Sequence, residues 1–207
     1  MSAERSEVAG LSVSRETFSA LELFADLVRR WNSAINLVSK ATVPDLWSRH
    51  IVDSAQLFSH CSPNSQLWLD LGSGGGFPGI VVAILANQLQ PQLKVALVES
   101  DLRKATFLRE ACRTLSLNAK VHSTRIESLP PAQADVLSAR ALASLPALLA
   151  FADQHLNKAG VALFPKGAQH EAELSQARKS HKFDVKLFPS LSEPKAAILE
   201  IRNIQRA

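Results

Sequence analysis

A hydrophobic strand that runs into a glycine-rich turn and then a helix is the feature that most constrains this chain. The stretch from Leu67 to Gly79 reads LWLDLGSGGGFPG in one-letter code. Glycine permits positive φ angles and lets a ligand approach the main chain closely. In open α/β sheets such a turn lies at the carboxyl ends of the strands, where ligands bind. The stretch therefore predicts an α/β sheet with a ligand site at this turn.

Strand and helix patterns alternate through the rest of the chain. Alternation of this kind predicts parallel strands joined by right-handed crossovers. The last two strands are joined by residues 189–195, too few for a crossover helix, so they should pair antiparallel. We expect a doubly wound, mostly parallel seven-stranded sheet with a terminal antiparallel hairpin. The predicted strands are 67–71, 95–99, 119–122, 135–139, 161–164, 183–188 and 196–201, and the helices between them are 78–89, 102–115, 142–155 and 169–179.

The first sixty residues have a helical pattern instead. Apolar residues recur every three or four positions from Phe18 to Trp31, with Ser14 as a plausible N-cap. A second helix is predicted to begin at Pro44 and to run to Phe58. We therefore expect an N-terminal helical extension over residues 1–63 and one compact unit over residues 64–207.

Composition excludes several classes of protein. The 207 residues are 46% hydrophobic and 20% charged, which suits a globular chain and excludes a disordered one. Residues 80–86 are the longest apolar run, too short to span a bilayer, and the polar stretch 1–10 is no secretory signal. The two cysteines, Cys61 and Cys112, lack the spacing of a zinc or redox site. We expect a cytoplasmic protein that requires no metal and binds no membrane.

Basic residues concentrate in two zones of a chain whose net charge is +4. The stretch from Arg103 to Arg125 contains six basic residues and one acidic residue, and the stretch from Arg29 to Arg49 contains four basic residues and one acidic residue. Such zones would suit a face that binds a polyanion, with Lys104, Arg109 and Arg113 as the outward charges. They would equally suit ordinary solvated helix faces, and charge alone leaves both interpretations open.

The register of the glycines narrows the class of ligand. A P-loop is excluded because no Gly-Lys-Ser/Thr follows the turn. A nicotinamide-binding fingerprint that starts at Gly72 fails, because Phe77 stands where its third glycine belongs. A match that starts at Gly74 begins too far after the strand. A nicotinamide oxidoreductase is therefore kept only as a distant alternative. Asp70, just before the turn, favours a ligand with a positively charged group. Glu99, at the tip of the next strand, could accept the hydroxyls of a ribose or belong to the start of the following helix.

Further charged residues are predicted at the same rim of the sheet. Arg140 follows the fourth strand and could bind a carboxylate or form a structural ion pair. Lys166 ends the fifth strand, and Ile126 and Glu127 follow the third, where they could flank an adenine. A ligand with a ribose, an amine and a carboxylate would satisfy this set, and S-adenosylmethionine has those groups.

Short motifs add a resemblance that covers residues 31–201. They are Trp31-Asn32, Asn36-Leu37, Arg49-His50, Asp53-Ser54, the turn up to Gly79, Arg140-Ala141 and Lys166-Gly167. With these motifs the chain resembles the bacterial 16S rRNA guanine-N7 methyltransferase family, also called glucose-inhibited division protein B. Val38 departs from the pattern, because the family often has threonine there.

The resemblance implies a class I S-adenosylmethionine-dependent methyltransferase fold. It implies methyl transfer to N7 of one guanine of 16S rRNA near the decoding region, with 16S rRNA or the small ribosomal subunit as partner. The cofactor contacts it implies, joined by those expected from the residues themselves, are Gly72, Phe77, Ile126, Glu127, Arg140, Asp70, Gly74 and Glu99. Candidate substrate contacts are Asn36, Arg49, His50 and Lys166.

No residue is predicted to be catalytic. Guanine N7 has a free lone pair and no proton to lose, so the reaction needs no general base, and the sequence shows no convincing nucleophile–base pair. Two other functions stay open: a class I methyltransferase with a different substrate, and a non-catalytic module that binds nucleotides or RNA.

Overall fold

The structure is a computed structural model that describes residues 5–207. The first four residues of the predicted extension 1–63, and with them part of the polar stretch 1–10, lie outside the described residues. None of the helices described is long and apolar enough to cross a membrane.

Nine strands occur in residues 5–207. They are β1 (Arg5–Val8), β2 (Leu11–Ser14), β3 (Leu67–Leu71), β4 (Lys94–Val98), β5 (Ala119–His122), β6 (Ala134–Ala139), β7 (Leu156–Lys166), β8 (His181–Pro189) and β9 (Ala197–Arg206). The first two pair with each other as a separate hairpin. The other seven form one sheet in the order β5-β4-β3-β6-β7-β9-β8.

Helices cover both faces of this sheet. The α-helices are α1 (Arg15–Asn32), α2 (Asp53–Ala55), α3 (Gly79–Leu89), α4 (Leu102–Thr114), α5 (Leu145–His155) and α6 (His170–Ala177). Single turns of other helix types are Lys40–Thr42, Gln56–His60 and Ile126–Ser128, which are 3-10, and Trp47–Val52, which is π-helical. Buried residues of α1, α3 and α4 belong to one core, and those of α5 and α6 belong to the core on the opposite face.

The predicted sheet is confirmed. Strands β3 to β7 pair in parallel, and β9 pairs antiparallel with both β7 and β8. The predicted hairpin of β8 and β9 is therefore present, and β9 lies between β7 and β8. Strands β3 and β5 have the predicted bounds, and the other strands of the sheet differ from prediction mainly at their ends.

The prediction that the first sixty residues are helical is wrong in two places. Residues 5–14 form the β1–β2 hairpin, whose turn has positive φ at Ala9 (53°) and Gly10 (79°). The second helical segment begins at Trp47 and not at Pro44, and changes type twice before it ends at His60. Helix α1 agrees with prediction, and the Ser14 hydroxyl accepts a hydrogen bond from the Thr17 amide as its N-cap.

The N-terminal segment shares a core with the sheet. Phe24 of α1 is fully buried, and its ring centroid lies 5.1 Å from that of Phe77 in the glycine-rich turn and 6.4 Å from that of Phe107 in α4. Phe24 therefore packs directly against the turn that was predicted to bind a ligand. The boundary predicted between residues 63 and 64 runs through one continuous core.

Candidate functional site

The glycine-rich turn joins β3 to α3 and exposes its main chain. Gly72 and Gly74 have positive φ angles of 62° and 53°. A Cβ atom placed on Gly74 would meet only the Gly72 carbonyl oxygen, at 3.7 Å, so this side of the backbone is open. The Ser73 amide donates to the Val98 carbonyl at 3.0 Å, which fixes the turn to the end of β4. The turn is held rigidly while its backbone stays accessible to a ligand.

Asp70 supports the turn from beneath. Its fully buried carboxylate accepts hydrogen bonds from the Ser138 hydroxyl at 2.7 Å and from the Gly79 amide at 3.2 Å. Burial raises the pKa of Asp70 to about 6, although these hydrogen bonds favour its charged form. The Gly79 amide belongs to the first turn of α3, where the helix dipole also favours a negative charge.

Asp70 was predicted to attract a positively charged ligand group, and its position differs from that expectation. It lines neither of the two cavities described below. A Cβ atom on Gly79 would lie 2.7 Å from the Asp70 carboxylate and 2.2 Å from Leu97, so glycine permits this close approach. Asp70 therefore fixes the turn from within the core.

Glu99 fixes the other side of the turn. One carboxylate oxygen accepts from the Gly74 amide at 2.9 Å and the other accepts from the Asp101 amide at 2.7 Å. Asp101, and not Glu99, caps α4, because its side chain accepts from the amides of Arg103 and Lys104. Glu99 is therefore not itself the helix cap; it accepts from the cap residue and lines a cavity next to the turn.

Two adjoining cavities open at this edge of the sheet. The Glu99 cavity has a volume of about 420 Å³, and the Arg140 cavity has a volume of about 660 Å³. Each lies within the range of small-molecule sites. The Glu99 cavity includes Gly72, Gly74, Glu99, Ile126, Glu127 and Leu142; the Arg140 cavity includes Gly72, Gly74, Phe77, Arg49, His50, Arg140 and Lys166. The structure thus brings together every predicted cofactor residue except Asp70.

Arg140 is bound to the N-terminal segment. Its guanidinium donates to the Asp53 carboxylate and to the Arg49 carbonyl, each at 3.3 Å, and to His50 Nδ1 at 2.8 Å. Its Cζ atom lies 5.3 Å from the centroid of the Phe77 ring, within the range of a cation–π contact. Of the two interpretations offered for Arg140, the ion pair is present in this structure, and the guanidinium still lines the cavity.

His50 is neutral in this arrangement. Desolvation and the positive charge of Arg140 lower its pKa to about 4, against the opposing effect of Asp53. Because Nδ1 accepts from Arg140, Nε2 carries the proton and donates to the Thr42 hydroxyl at 3.0 Å. The imidazole also packs on Phe77, with ring centroids 5.0 Å apart. His50 therefore orients Arg140 by accepting its hydrogen bond.

The remaining predicted substrate residues differ in position. Lys166 lines the Arg140 cavity, and its ammonium group pairs with Glu173 at 2.7 Å. Arg49 is exposed at the same cavity. Asn36 is exposed but lines neither cavity. The structure thus gathers three of the four candidates at one place.

The connection between β8 and β9 is a part of the site that the sequence did not predict. The Ser192 hydroxyl donates to Asp53 at 2.6 Å, and the Leu191 amide donates to the Gln56 side chain at 2.8 Å. Asp53 therefore links this connection to Arg140. The short connection predicted at 189–195 was the only signal, and it gave no indication of contact with the N-terminal segment.

The basic zone on α4 is also arranged differently from prediction. Lys104 lines both cavities and does not point away from the turn. Arg113 is exposed but paired with Glu110 at 2.8 Å. Arg109 is exposed as predicted. Within residues 5–207 no group of three or more His, Cys, Asp or Glu side chains is placed to hold a metal ion.

Comparison with known proteins gives a consistent result. The sequence model of the family described as rRNA small subunit methyltransferase G matches residues 17–199. A protein of that name from Cereibacter sphaeroides is 54% identical over 199 residues, covering 96% of this chain and 97% of its own. Another from Ruegeria pomeroyi is 53% identical over 196 residues, covering 95% of this chain and 96% of its own.

Two solved structures that share this fold are named as methyltransferases. An S-adenosylmethionine-dependent methyltransferase from Aquifex aeolicus has a TM-score of 0.59 and 12% identity, covering 86% of this chain and 97% of its own. An O-methyltransferase from Bacillus cereus in complex with SAH also has a TM-score of 0.59, at 14% identity, covering 89% of this chain and 91% of its own. The predicted class I methyltransferase fold is confirmed.

Proposed function

Because the chain belongs to the rRNA small subunit methyltransferase G family, we propose that it transfers a methyl group from S-adenosylmethionine to N7 of a guanine of 16S rRNA near the decoding region. The observation that carries the proposal is the identity of 54% over nearly the whole chain. The two cavities at the glycine-rich turn add a site large enough for a donor and a nucleobase.

The residues of the Glu99 cavity fit the nucleoside end of S-adenosylmethionine. The Glu99 carboxylate can accept hydrogen bonds from ribose hydroxyls, since each oxygen receives only one backbone amide within the described structure. Ile126 and Leu142 supply apolar surface for the adenine, beside the main chain of Glu127.

The shared wall and the Arg140 cavity fit the amino-acid end. Gly72 and the open backbone at Gly74 line both cavities, and Phe77 and Arg140 line the Arg140 cavity only. The Arg140 guanidinium suits a carboxylate because it can donate two parallel hydrogen bonds. Bound here, S-adenosylmethionine would supply a methyl group made electrophilic by the positive charge on its sulfur.

The chain's own task in this reaction is to orient the reactants. Guanine N7 offers a lone pair without deprotonation, so no side chain has to remove a proton. A neutral His50, held between Arg140 and Thr42, suits a positioning role and not a proton-transfer role. Holding two reactants in line can lower a barrier by roughly 7–11 kcal/mol. The rigid turn, fixed by Asp70 and Glu99, is suited to this.

The rim of the site suits a nucleic acid. Arg49, Lys104, Arg140 and Lys166 line the Arg140 cavity, against the three carboxylates of Asp53, Glu173 and Glu193. An excess of positive charge favours binding of phosphates. An rRNA substrate and two free cysteines support the cytoplasmic location that we propose.

The decisive experiment uses small ribosomal subunits from a strain that lacks this enzyme. Purified protein and labelled S-adenosylmethionine should place label in rRNA, and nuclease digestion with mass spectrometry should identify 7-methylguanosine. Borohydride–aniline cleavage and primer extension then give its position. Label in a different base or atom would indicate a methyltransferase with another substrate, and donor binding without turnover would indicate a non-catalytic module.

A further inference from the structure

The connection between β8 and β9 forms one wall of the Arg140 cavity. Ser190, Ser192 and Glu193 of this connection line the same cavity as the glycine-rich turn and Phe77. The cavity therefore extends from the proposed donor site to a second wall, which is built from the C-terminal part of the chain.

Three acidic residues line the Arg140 cavity, and the carboxylates of two of them already have partners. Asp53 accepts from Arg140, Ser192 and Gln56, and Glu173 pairs with Lys166 at 2.7 Å. The Glu193 carboxylate has no hydrogen-bond or ion-pair partner among residues 5–207. Only its main-chain carbonyl is used, by the Ala196 amide at 2.9 Å.

The backbone that carries Glu193 is nevertheless fixed. Ser192 donates to Asp53 at 2.6 Å, and the Ser190 amide donates to the Ala196 carbonyl at 3.1 Å. The preceding Leu191 amide donates to Gln56 at 2.8 Å. An exposed carboxylate on a fixed connection can receive a ligand without first ordering the loop, which reduces the entropic cost of binding.

An unpaired negative charge at this position would repel the phosphates of an RNA. It becomes favourable only if the bound RNA presents hydrogen-bond donors to it. Guanine does so along its Watson–Crick edge, where N1–H and the N2 amino group point in the same direction. A carboxylate has only acceptors, so its two oxygens match these two donors. Adenine has an acceptor at N1 and no amino group at C2.

The geometry of guanine is compatible with a contact between Glu193 and its Watson–Crick edge. Guanine N7 lies on the opposite edge of the purine from N1 and the N2 amino group. A base whose N7 faces the proposed donor site therefore directs its Watson–Crick edge toward another wall. Enzymes that act on a base extruded from RNA commonly read this edge by hydrogen bonds.

We propose that Glu193 determines the specificity for guanine by accepting hydrogen bonds from N1–H and the N2 amino group of the target base. The inference rests on the proposed function and names the residue that reads the base. Each hydrogen bond to a charged acceptor would contribute about 10- to 100-fold to the preference for guanine over adenine.

The test compares two substrates and four proteins. The substrates are small subunits with guanosine, or with adenosine, at the methylated position, since both bases carry N7. The proteins are the wild type, Glu193→Gln, Glu193→Ala and the control Glu171→Ala. Glu171 is an exposed carboxylate in the first turn of α6 that lines neither cavity. Donor affinity is measured by calorimetry, and folding is measured by thermal melting.

The wild type should methylate guanosine far faster than adenosine. Glu193→Ala should reduce kcat/KM on guanosine, with the ratio between the two substrates falling at least about tenfold, while donor affinity and melting stay unchanged. Glu193→Gln, which keeps the size and one acceptor, should lose less, and Glu171→Ala should behave as wild type.

An unchanged guanosine-to-adenosine ratio in Glu193→Ala would overturn the inference and leave the proposed function intact. An equal loss in Glu171→Ala would also overturn it, because it would trace the effect to net charge. A wild type that binds the donor but methylates neither substrate would refute the proposed function, and the inference with it.

Discussion

Arg140 lines the proposed donor site and also contacts the N-terminal segment. Its guanidinium lines the larger cavity, yet its hydrogen bonds run to Asp53, to His50 and to the Arg49 carbonyl. The same side chain can therefore stabilise the fold, bind the ligand, or do both. Measurements of stability and of affinity separate these roles.

Arg140→Ala should weaken binding of S-adenosylmethionine by about 1.5–3 kcal/mol, since it removes hydrogen bonds to a charged group. Calorimetry gives this affinity, and a thermal melt of the same variant gives the cost to the fold. Asp53→Asn serves as the comparison, because it keeps the guanidinium and removes its charged partner. A lower melting temperature with unaltered affinity in Arg140→Ala would mean that Arg140 forms a structural ion pair only.

His50 should make the stability of the protein sensitive to acid. Its pKa is about 4 in the folded chain, below the ordinary value of 6.5, so the unfolded chain binds more protons between these values. Its contribution is therefore lost as the pH falls from 6.5 toward 4. Asp70 acts in the opposite sense, because its pKa is raised to about 6 and its protonation favours the folded chain.

His50→Gln separates the two effects, since Asp70 is present in both proteins. The variant should lose less free energy of unfolding than the wild type when the pH falls from 6.5 to 4.5. Urea unfolding at several pH values measures this difference. Parallel pH profiles for the two proteins would show that His50 has an ordinary pKa.

At the scale of elements, α4 and β3 show what the sequence could and could not predict. The bounds of β3 were predicted because a short apolar run ends at a glycine, and the start of α4 was predicted at Leu102. The direction of individual charges on α4 was predicted less well, because periodicity does not show which face meets a cavity. Lys104 proved to line both cavities, and Arg113 proved to be paired.

The hairpin β1–β2 and the connection before β9 illustrate the same limit. Each strand of the hairpin has four residues, too few for an alternation that stands out. The contact of Ser192 with Asp53 joins residues 139 positions apart, and no local pattern encodes it. Residues of the site that follow a strand tip were predictable from the local pattern. Arg49 and His50, which tertiary packing brings to the site, were named only after the family resemblance, and Ser192 was not predicted.

Helix α4 should still contribute to RNA binding through the charges that remain exposed. Replacing Arg109, which is exposed and in no ion pair within the described residues, by alanine should reduce the slope of log affinity against log salt by about 0.7–0.9, if it contacts one phosphate. Arg113→Ala is the control, because Glu110 already compensates its charge. Filter binding to small-subunit rRNA over a range of salt concentrations gives the slopes. Equal slopes in all three proteins would place the phosphate contacts elsewhere, at Arg29, Arg30 or Arg49.

At the scale of the whole molecule, the N-terminal segment packs against the glycine-rich turn of the proposed donor site. Phe24 contacts the turn itself: a Cβ atom on Gly76 would lie 3.0 Å from its ring. Replacing Phe24 by alanine should destabilise the protein by about 3–5 kcal/mol. It should also weaken donor binding in the fraction that remains folded, because the turn loses its support.

Phe183→Ala provides the matched comparison for Phe24→Ala. Phe183 is 7% exposed and belongs to the core on the opposite face of the sheet. Its loss should lower the melting temperature but leave the affinity for S-adenosylmethionine unchanged. If both variants lowered stability and neither changed affinity, the N-terminal segment would support the fold without shaping the site.

The position of β9 affects how the chain can fold during its synthesis. Strand β9 follows both β7 and β8 in the sequence, so it is synthesised after them, yet it lies between them in the sheet. The nascent chain therefore exposes one edge of β7, a strand of 11 residues, until β9 emerges. Such an open edge can pair with a strand from another molecule. A chain that stalled before β9 would retain that edge, so the synthesis of β9 removes a site through which this protein could aggregate.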